Sequence, residues 1–260
     1  MVKPLQSFRY GLARYLAEKI EERSERLIKN NDTIQGYLEY YGRTSPSTGC
    51  SYTDYVLLYR YVKNHRPKEV LECGTGFSTV VIAQALKENE EAYGIRGRLV
   101  SMEENERYYQ AALESMPPPL KHDPRLQIVL SPAVEDTYEF FRGVRYKEIP
   151  KRAYDFVFVD GPDLMINPAR KPLTFDYDFV KLVQESGHPI GALVDTRVST
   201  CFVYSLLFPE KFRYDYLRKV GIVEPVTRKD LADGRKIVSR AMARREFRRP
   251  PMRAWMRGAY

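Results

Sequence analysis

One tryptophan, three histidines and three cysteines are all that 260 residues hold of those types. Each scarcity removes a class of function. Cys50, Cys73 and Cys201 are odd in number and contain no Cys-x-x-Cys, which argues against a disulfide framework or a thiolate zinc site. A reducing, cytoplasmic setting is expected, with Cys73 a small core residue inside an apolar run. His65, His122 and His188 fall near strand starts or in loops, so structural or solvent-facing roles are expected for them. No apolar run approaches the roughly 18–20 residues of a membrane span. The first thirty residues are charged throughout, unlike a cleavable signal peptide. No repeat of solenoid period is present.

What the chain does have is positive charge, unevenly placed. The formal net charge is +8. Residues 240–260 hold seven arginines and one acid, so this tail carries +6 and the remainder is near neutral. A basic tail can attract phosphate, nucleic acid or an anionic membrane surface. The plainer reading is a solvated or partner-docked terminus.

Leu5, Phe8, Leu12, Leu16, Ile20 and Leu27 recur at mostly three- and four-residue steps, the pattern of an amphipathic helix. Such a helix would pack on the main domain or on a second copy of the chain in a homo-oligomer. A turn-rich break at residues 42–49 precedes a second helix at about 52–64.

From residue 68 short apolar runs alternate with helical stretches. Strands are predicted at 69–73, 98–103, 126–130, 154–160 and 189–195. Helices are predicted at 78–87, 104–115, 132–142 and 176–186, with Pro117-Pro-Pro119 stopping the second of them. Phe156-Val-Phe-Val159 is apolar on both faces, as a buried parallel strand is. The alternation predicts a doubly wound, mostly parallel α/β sheet of seven strands. Arg213–Leu217 and Lys236–Ser239 are candidates for the last two. The expected division is a helical extension over 1–65, a Rossmann-like catalytic domain over 66–239 and the basic tail over 240–260.

Open α/β sheets bind ligands beyond the carboxyl ends of their strands. The first strand ends in Glu72-Cys-Gly74-Thr75-Gly76-Phe-Ser78. The glycines permit a tight turn and close backbone approach, with a helix N-terminus following. A dinucleotide fingerprint would need a third glycine at 79, where threonine stands. Glu72 would also repel a pyrophosphate and suit a cationic ligand.

This segment resembles motif I of the class I S-adenosylmethionine-dependent methyltransferases, written E/D-x-G-x-G-x-G, with Ser78 in place of the third glycine. The resemblance spans about residues 66–200. It implies that Glu72, Gly74, Thr75, Gly76 and Ser78 line the cofactor and that Glu103, closing the second strand, holds the ribose hydroxyls. It implies that Ser131 and Ala133 lie against the adenine, and that Asp160, in Val159-Asp160-Gly161-Pro162, faces the methyl group. Metal-dependent catechol-type O-methyltransferases add an Asp-Asn pair at the fifth strand. Asp195 matches that aspartate and Thr196 replaces the asparagine, so Asp160, Asp195 and Thr196 are candidate Mg2+ ligands. The lysine of that subfamily is missing, with Asp163 in its place. Without a metal, Asp160 or Asp195 is a candidate general base or substrate-orienting group.

Arg197, with Arg170 and Lys171 in the long connection 161–174, is a candidate for binding an anionic substrate group. That connection is the expected substrate lid. The implied activity is methyl transfer from S-adenosylmethionine to an oxygen of a small-molecule or glycan-type acceptor. Three alternatives stay open. A nucleic-acid methyltransferase would use the arginine tail, although the chain has no Asn-Pro-Pro-Tyr-type tetrad. A Rossmann-like scaffold would bind partners without catalysis, and a nicotinamide enzyme would bind NAD.

Overall fold

The structure, a computed structural model, describes residues 3–45, 51–165 and 174–231. Cys50, Arg170, Lys171, the candidate strand 236–239, the basic tail and the side chains of Leu5 and Phe8 lie outside the described residues.

Three helices come first: α1 (Lys3–Lys29), α2 (Asp32–Thr44) and α3 (Tyr52–His65). The break expected from residue 42 begins only at Ser45, because α2 runs through Gly42 to Thr44. Ser51 and Asp54 start α3 with a reciprocal capping box. The second half of α1 packs on α3: the Glu21 carboxylate accepts from the Tyr52 and Thr53 amides at 2.7 and 3.0 Å. Ser24 and Ile28 are buried there, whereas Leu12, Leu16 and Leu27 face outward.

The core follows as β1 (Glu69–Cys73), α4 (Phe77–Tyr93), β2 (Arg98–Glu103), α5 (Glu106–Ser115), a single turn α6 (Pro118–Lys121) and β3 (Leu126–Leu130). Then come β4 (Ala133–Tyr138), β5 (Phe141–Tyr146), β6 (Phe156–Val159), β7 (Phe175–Asp176), α7 (Asp178–Glu185), β8 (Ile190–Asp195), α8 (Val198–Leu207), β9 (Phe212–Asp215) and β10 (Val220–Val226). Among the described residues the main sheet has seven strands, in the order β3-β2-β1-β6-β8-β10-β9. Neighbours pair in parallel except around β10, which is antiparallel to both β8 and β9. The central strands are buried along nearly their whole length, as their unbroken apolar runs require.

One expected element is corrected. Residues 132–142 form no helix: β4 and β5 make an antiparallel hairpin, joined by β7 into a small three-stranded sheet. Glu135 and Thr137 alternate with half-buried Val134, Asp136 and Tyr138, a period of two along most of the strand. The turn hides this because Glu139 takes the left-handed conformation, φ 54°, where asparagine or glycine usually signals a hairpin.

The chain builds outward from β1 to β3 and then returns to lay β6 on the other side of β1. The strand order therefore reverses between β1 and β6, and the crevice at their carboxyl ends is the ligand position of such sheets.

Candidate active site

The floor of that crevice is a contact between two glycine turns. Gly74, with φ +97°, follows β1, and its amide donates to the Met102 carbonyl at 3.0 Å. Gly161 follows β6. A Cβ on Gly161 would lie 2.7 Å from the Gly74 nitrogen and 2.6 Å from the Tyr146 hydroxyl, so only glycine fits. Gly76 differs. Its φ of −175° suits any residue, and a Cβ there would meet only Ser78 within 4 Å. The space beside Gly76 is open.

Glu72 stands behind this turn, wholly buried. Parallel pairing places it opposite Ser101 of β2, and the Ser101 hydroxyl donates to its Oε2 at 2.7 Å. Thr79 Oγ1 donates to the same oxygen at 2.6 Å and accepts from the Gly76 amide at 3.1 Å. Oε1 is buried with no hydrogen-bond partner. Burial pushes the carboxyl up to about 7, against the pull of the Ser101, Ser78 and Thr79 hydroxyls. An orphaned carboxylate oxygen in a buried site is costly unless a donor or cation reaches it.

Glu103 closes β2 and is also buried. Its Oε1 accepts from the Glu104 and Asn105 amides at 3.1 and 3.0 Å, and its Oε2 from Thr75 Oγ1 at 2.7 Å. Burial raises its carboxyl above the usual range. Thr75, on the turn, is thus tied to Glu103, two strands' ends meeting in one hydrogen bond. Ser131 lies beyond β3, where its amide donates to the Glu103 carbonyl at 2.8 Å and its Oγ accepts from the Glu148 amide at 3.0 Å. Ala133 opens β4 opposite Tyr146. Glu72, Gly74, Thr75, Gly76, Ser78, Glu103, Ser131 and Ala133 therefore gather at the carboxyl ends of β1, β2 and β3. Thr79, Ser101 and Tyr146 complete the group; the sequence marks Thr79 only as the missing third glycine and does not mark the other two. A polar residue interrupting an apolar strand (Leu99-Val-Ser101-Met) or an apolar helix (Thr79 before Val-Val-Ile) was the available signal.

Asp160 follows β6 directly and Asp195 ends β8. The pairing of Val159 with Val194 puts them side by side, their backbones about 5 Å apart by strand spacing. Arg197 occupies the ground beside Asp160. Its Nη1 donates to the Pro162 carbonyl at 2.7 Å and to Asp176 Oδ1 at 3.0 Å, Nη2 donates to the Asp160 carbonyl, and Nε lies 3.8 Å from Asp160 Oδ1. The guanidinium expected to meet an anionic substrate is committed to acceptors of the protein itself.

The residues suggested for Mg2+ do not fit that ion. Among the described residues, no cluster of three or more His, Cys, Asp or Glu side chains could hold a metal. Arg197 already brings a positive charge to Asp160, and Thr196 Oγ1 is used as a donor to Asp195 Oδ1 at 2.8 Å. A hard cation wants oxygen acceptors free of a competing cation.

The histidines stay away from this edge. His65 lies in the last turn of α3, its Nδ1 3.0 Å from the Tyr61 carbonyl, and His188 Nε2 lies 2.8 Å from the Tyr154 carbonyl at the amino end of β6. Cys73 and Cys201 are buried thiols, pushed up by burial. Among the described residues no helix is long and apolar enough to cross a membrane.

Similar folds are known. An O-methyltransferase from Bacillus cereus, solved in complex with SAH, is 17% identical, with a TM-score of 0.49 over 82% of this chain and 100% of that one. An O-methyltransferase of tomaymycin synthesis from Streptomyces achromogenes, in complex with SAM, is 18% identical, with a TM-score of 0.43 over 76% and 78%. A SAH-bound methyltransferase from Podospora anserina is 15% identical, with a TM-score of 0.44 over 77% and 79%. No curated protein matches the chain. A family model described as a methyltransferase domain matches residues 71–173, the stretch that begins in β1 and carries Glu72, the glycine turn, Glu103 and Asp160. With that match laid on the reversal between β1 and β6, the chain carries a methyltransferase domain over residues 71–173, on a mostly parallel, Rossmann-like sheet.

Proposed function

We propose that this enzyme methylates a hydroxyl oxygen of a small-molecule or glycan-type acceptor without a divalent metal. The observation that carries the cofactor half is Glu72 Oε1, a buried acceptor without a partner beside an open glycine turn. It suits the ammonium group of S-adenosylmethionine. Glu103, whose Oε2 keeps a lone pair beyond the Thr75 bond, suits the ribose hydroxyls. When bound, the cofactor supplies a methyl group on a sulfonium, open to in-line displacement, a reaction governed by positioning.

The acceptor half rests on Asp160 and Asp195. One of these carboxylates takes the proton that the acceptor hydroxyl loses as its oxygen–carbon bond forms and the sulfur–carbon bond breaks. The turn after β6, Asp160-Gly161-Pro162-Asp163, lacks the aromatic tetrad of amino-group methylation and offers a carboxylate in its place. Arg197 holds this turn and is not a substrate anchor in this reading.

The test has two stages. Titration calorimetry with S-adenosylmethionine and with SAH should show one site on the full chain, and no heat from either would sink the proposal. A panel of phenolic, polyol and sugar acceptors, run with Mg2+ and with EDTA, should then give methyl ethers at equal rates. A rate that collapses in EDTA would restore the metal.

A further inference from the structure

The buried pair Asp176–Arg197 lies beside the crevice. Asp176 ends β7 and is wholly enclosed. Arg197 Nη1 reaches both its carboxylate oxygens, Oδ1 at 3.0 Å and Oδ2 at 3.2 Å. Thr200 Oγ1 donates to Oδ2 at 2.7 Å and accepts from the Asp176 amide at 3.0 Å. The Tyr204 hydroxyl donates to the Asp176 carbonyl at 2.8 Å. Thr200 of α8 thus holds the Asp176 carboxylate, which in turn fixes Arg197, whereas Tyr204 touches only the Asp176 backbone carbonyl.

Arg197 carries the contact onward. Nη1 also donates to the Pro162 carbonyl and Nη2 to the Asp160 carbonyl, the residues on either side of Gly161, while Nε makes no hydrogen bond. The backbone of Gly161 in turn rests on Gly74, as the 2.7 Å clash of an added Cβ shows. A continuous series of contacts therefore runs from α8 through Asp176, Arg197 and the Asp160–Pro162 turn into the cofactor turn. Burying such a pair rarely stabilises a fold more than apolar packing of the same volume would, whereas breaking one side is costly. A forked guanidinium also fixes two carbonyls in direction as well as distance, which a lysine or an apolar side chain cannot do.

We propose that Asp176 is a positioning residue for the cofactor: acting through Arg197, it holds the Asp160–Pro162 turn against Gly74 and so sets the affinity of the cofactor turn. This rests on the methyltransferase reading of that turn. Burial, together with the charge of Glu104, pushes the Asp176 carboxyl up to about 6 while Arg197 and Thr200 pull it down, so it is ionised at neutral pH and can serve this role.

The experiment is SAH binding by calorimetry on the full chain at pH 8, with folding checked by circular dichroism. Asp176→Asn and Arg197→Lys should each weaken binding about tenfold or more, and the double variant should be no weaker than the worse single one, because the two act through one contact. Thr200→Val, which loses the bond to the Asp176 carboxylate and the one from the Asp176 amide, should be intermediate. Tyr204→Phe, which loses only the bond to the Asp176 carbonyl, should bind as the parent does. Parent-like binding by Asp176→Asn, or losses that multiply in the double variant, would overturn the proposal. If Asp176→Asn does not fold, the comparison of Thr200→Val with Tyr204→Phe decides, and equal affinities overturn it. A parent chain that binds no SAH overturns the cofactor reading itself, and this proposal with it.

Discussion

Glu72 and Thr79 meet through a 2.6 Å hydrogen bond that satisfies only one of the two carboxylate oxygens. Thr79 stands where a dinucleotide-binding turn would have its third glycine, and here it clamps the turn to the acid behind it. The other oxygen, Oε1, has no hydrogen-bond partner, and the proposed cofactor would supply one. Because the free carboxyl titrates at about 7, a cationic ligand binds its ionised form and displaces the proton. S-adenosylmethionine affinity should therefore be level above pH 7 and fall about tenfold per pH unit below it. Glu72→Gln should bind weakly at pH 8 and lose this dependence. Calorimetry across pH 5.5–8.5, in buffers of different ionisation enthalpy, reads both the affinity and the released proton. A parent affinity that does not change with pH would remove Glu72 from the site.

Glu103→Gln tests the ribose contact. The amide retains one acceptor for the Glu104 and Asn105 amides and turns the other oxygen into a donor. Losing charge-assisted hydrogen bonds of about 1.5–3 kcal/mol should weaken SAH binding roughly 10- to 100-fold. Adenine alone, which has no ribose, should bind the variant and the parent equally. Unequal adenine binding would mean that Glu103 shapes the site in another way.

The two glycines of the crevice should separate fold from binding. Gly161→Ala puts a methyl group 2.6 Å from the Tyr146 hydroxyl and 2.7 Å from the Gly74 nitrogen, so both stability and SAH binding should be lost. Gly76→Ala needs no unusual backbone angle and meets no protein atom closer than 3.5 Å, so its Tm should stay within a few degrees of the parent. Its SAH affinity should nevertheless drop at least about tenfold, since the new methyl would enter the open space where the proposed cofactor lies. Thermal melts with and without SAH distinguish the two, and a Gly76→Ala chain stabilised by SAH as well as the parent is would place the cofactor elsewhere.

The sheet was legible where burial on both faces left apolar runs with no period, as in Phe156–Val159 and Ile190–Val194. It was least legible where backbone chemistry contradicts the pattern. β10 contains Gly221 and Pro225, both strand breakers by composition. Pro225 is tolerated because the ladder with β8 is irregular between Val223 and Val226, so no bond is lost there. Gly221 is needed because a Cβ would lie 2.8 Å from Cys201 Sγ. In the site, the acids at strand ends were visible because strand ends are where such sheets bind. Asp176 was not, because β7 spans two residues and its partner Arg197 is 21 residues away.

Asp54 gives a stability prediction whose sign opposes the usual carboxylate. It is buried at the start of α3, where Oδ2 accepts from the Ser51 amide at 3.1 Å and Oδ1 has no partner. Burial, followed by the charge of Asp195, pushes its carboxyl from 3.8 up to about 7. The folded state therefore holds a proton that the unfolded state has released between about pH 4 and 7, and stability falls as pH rises through that window. Above pH 7 the penalty is constant. Asp54→Asn keeps an acceptor for the Ser51 amide and has no charge to bury. It should match the parent near pH 4 and exceed it by a few kcal/mol at pH 8, a gain of several degrees in Tm. Asp195→Asn should show part of the same gain, since it removes the second cause of the shift and leaves the first. Urea melts at pH 4.5, 6 and 8 measure the gap, and a difference that does not widen with pH would mean that Asp54 is ionised in the fold at no cost.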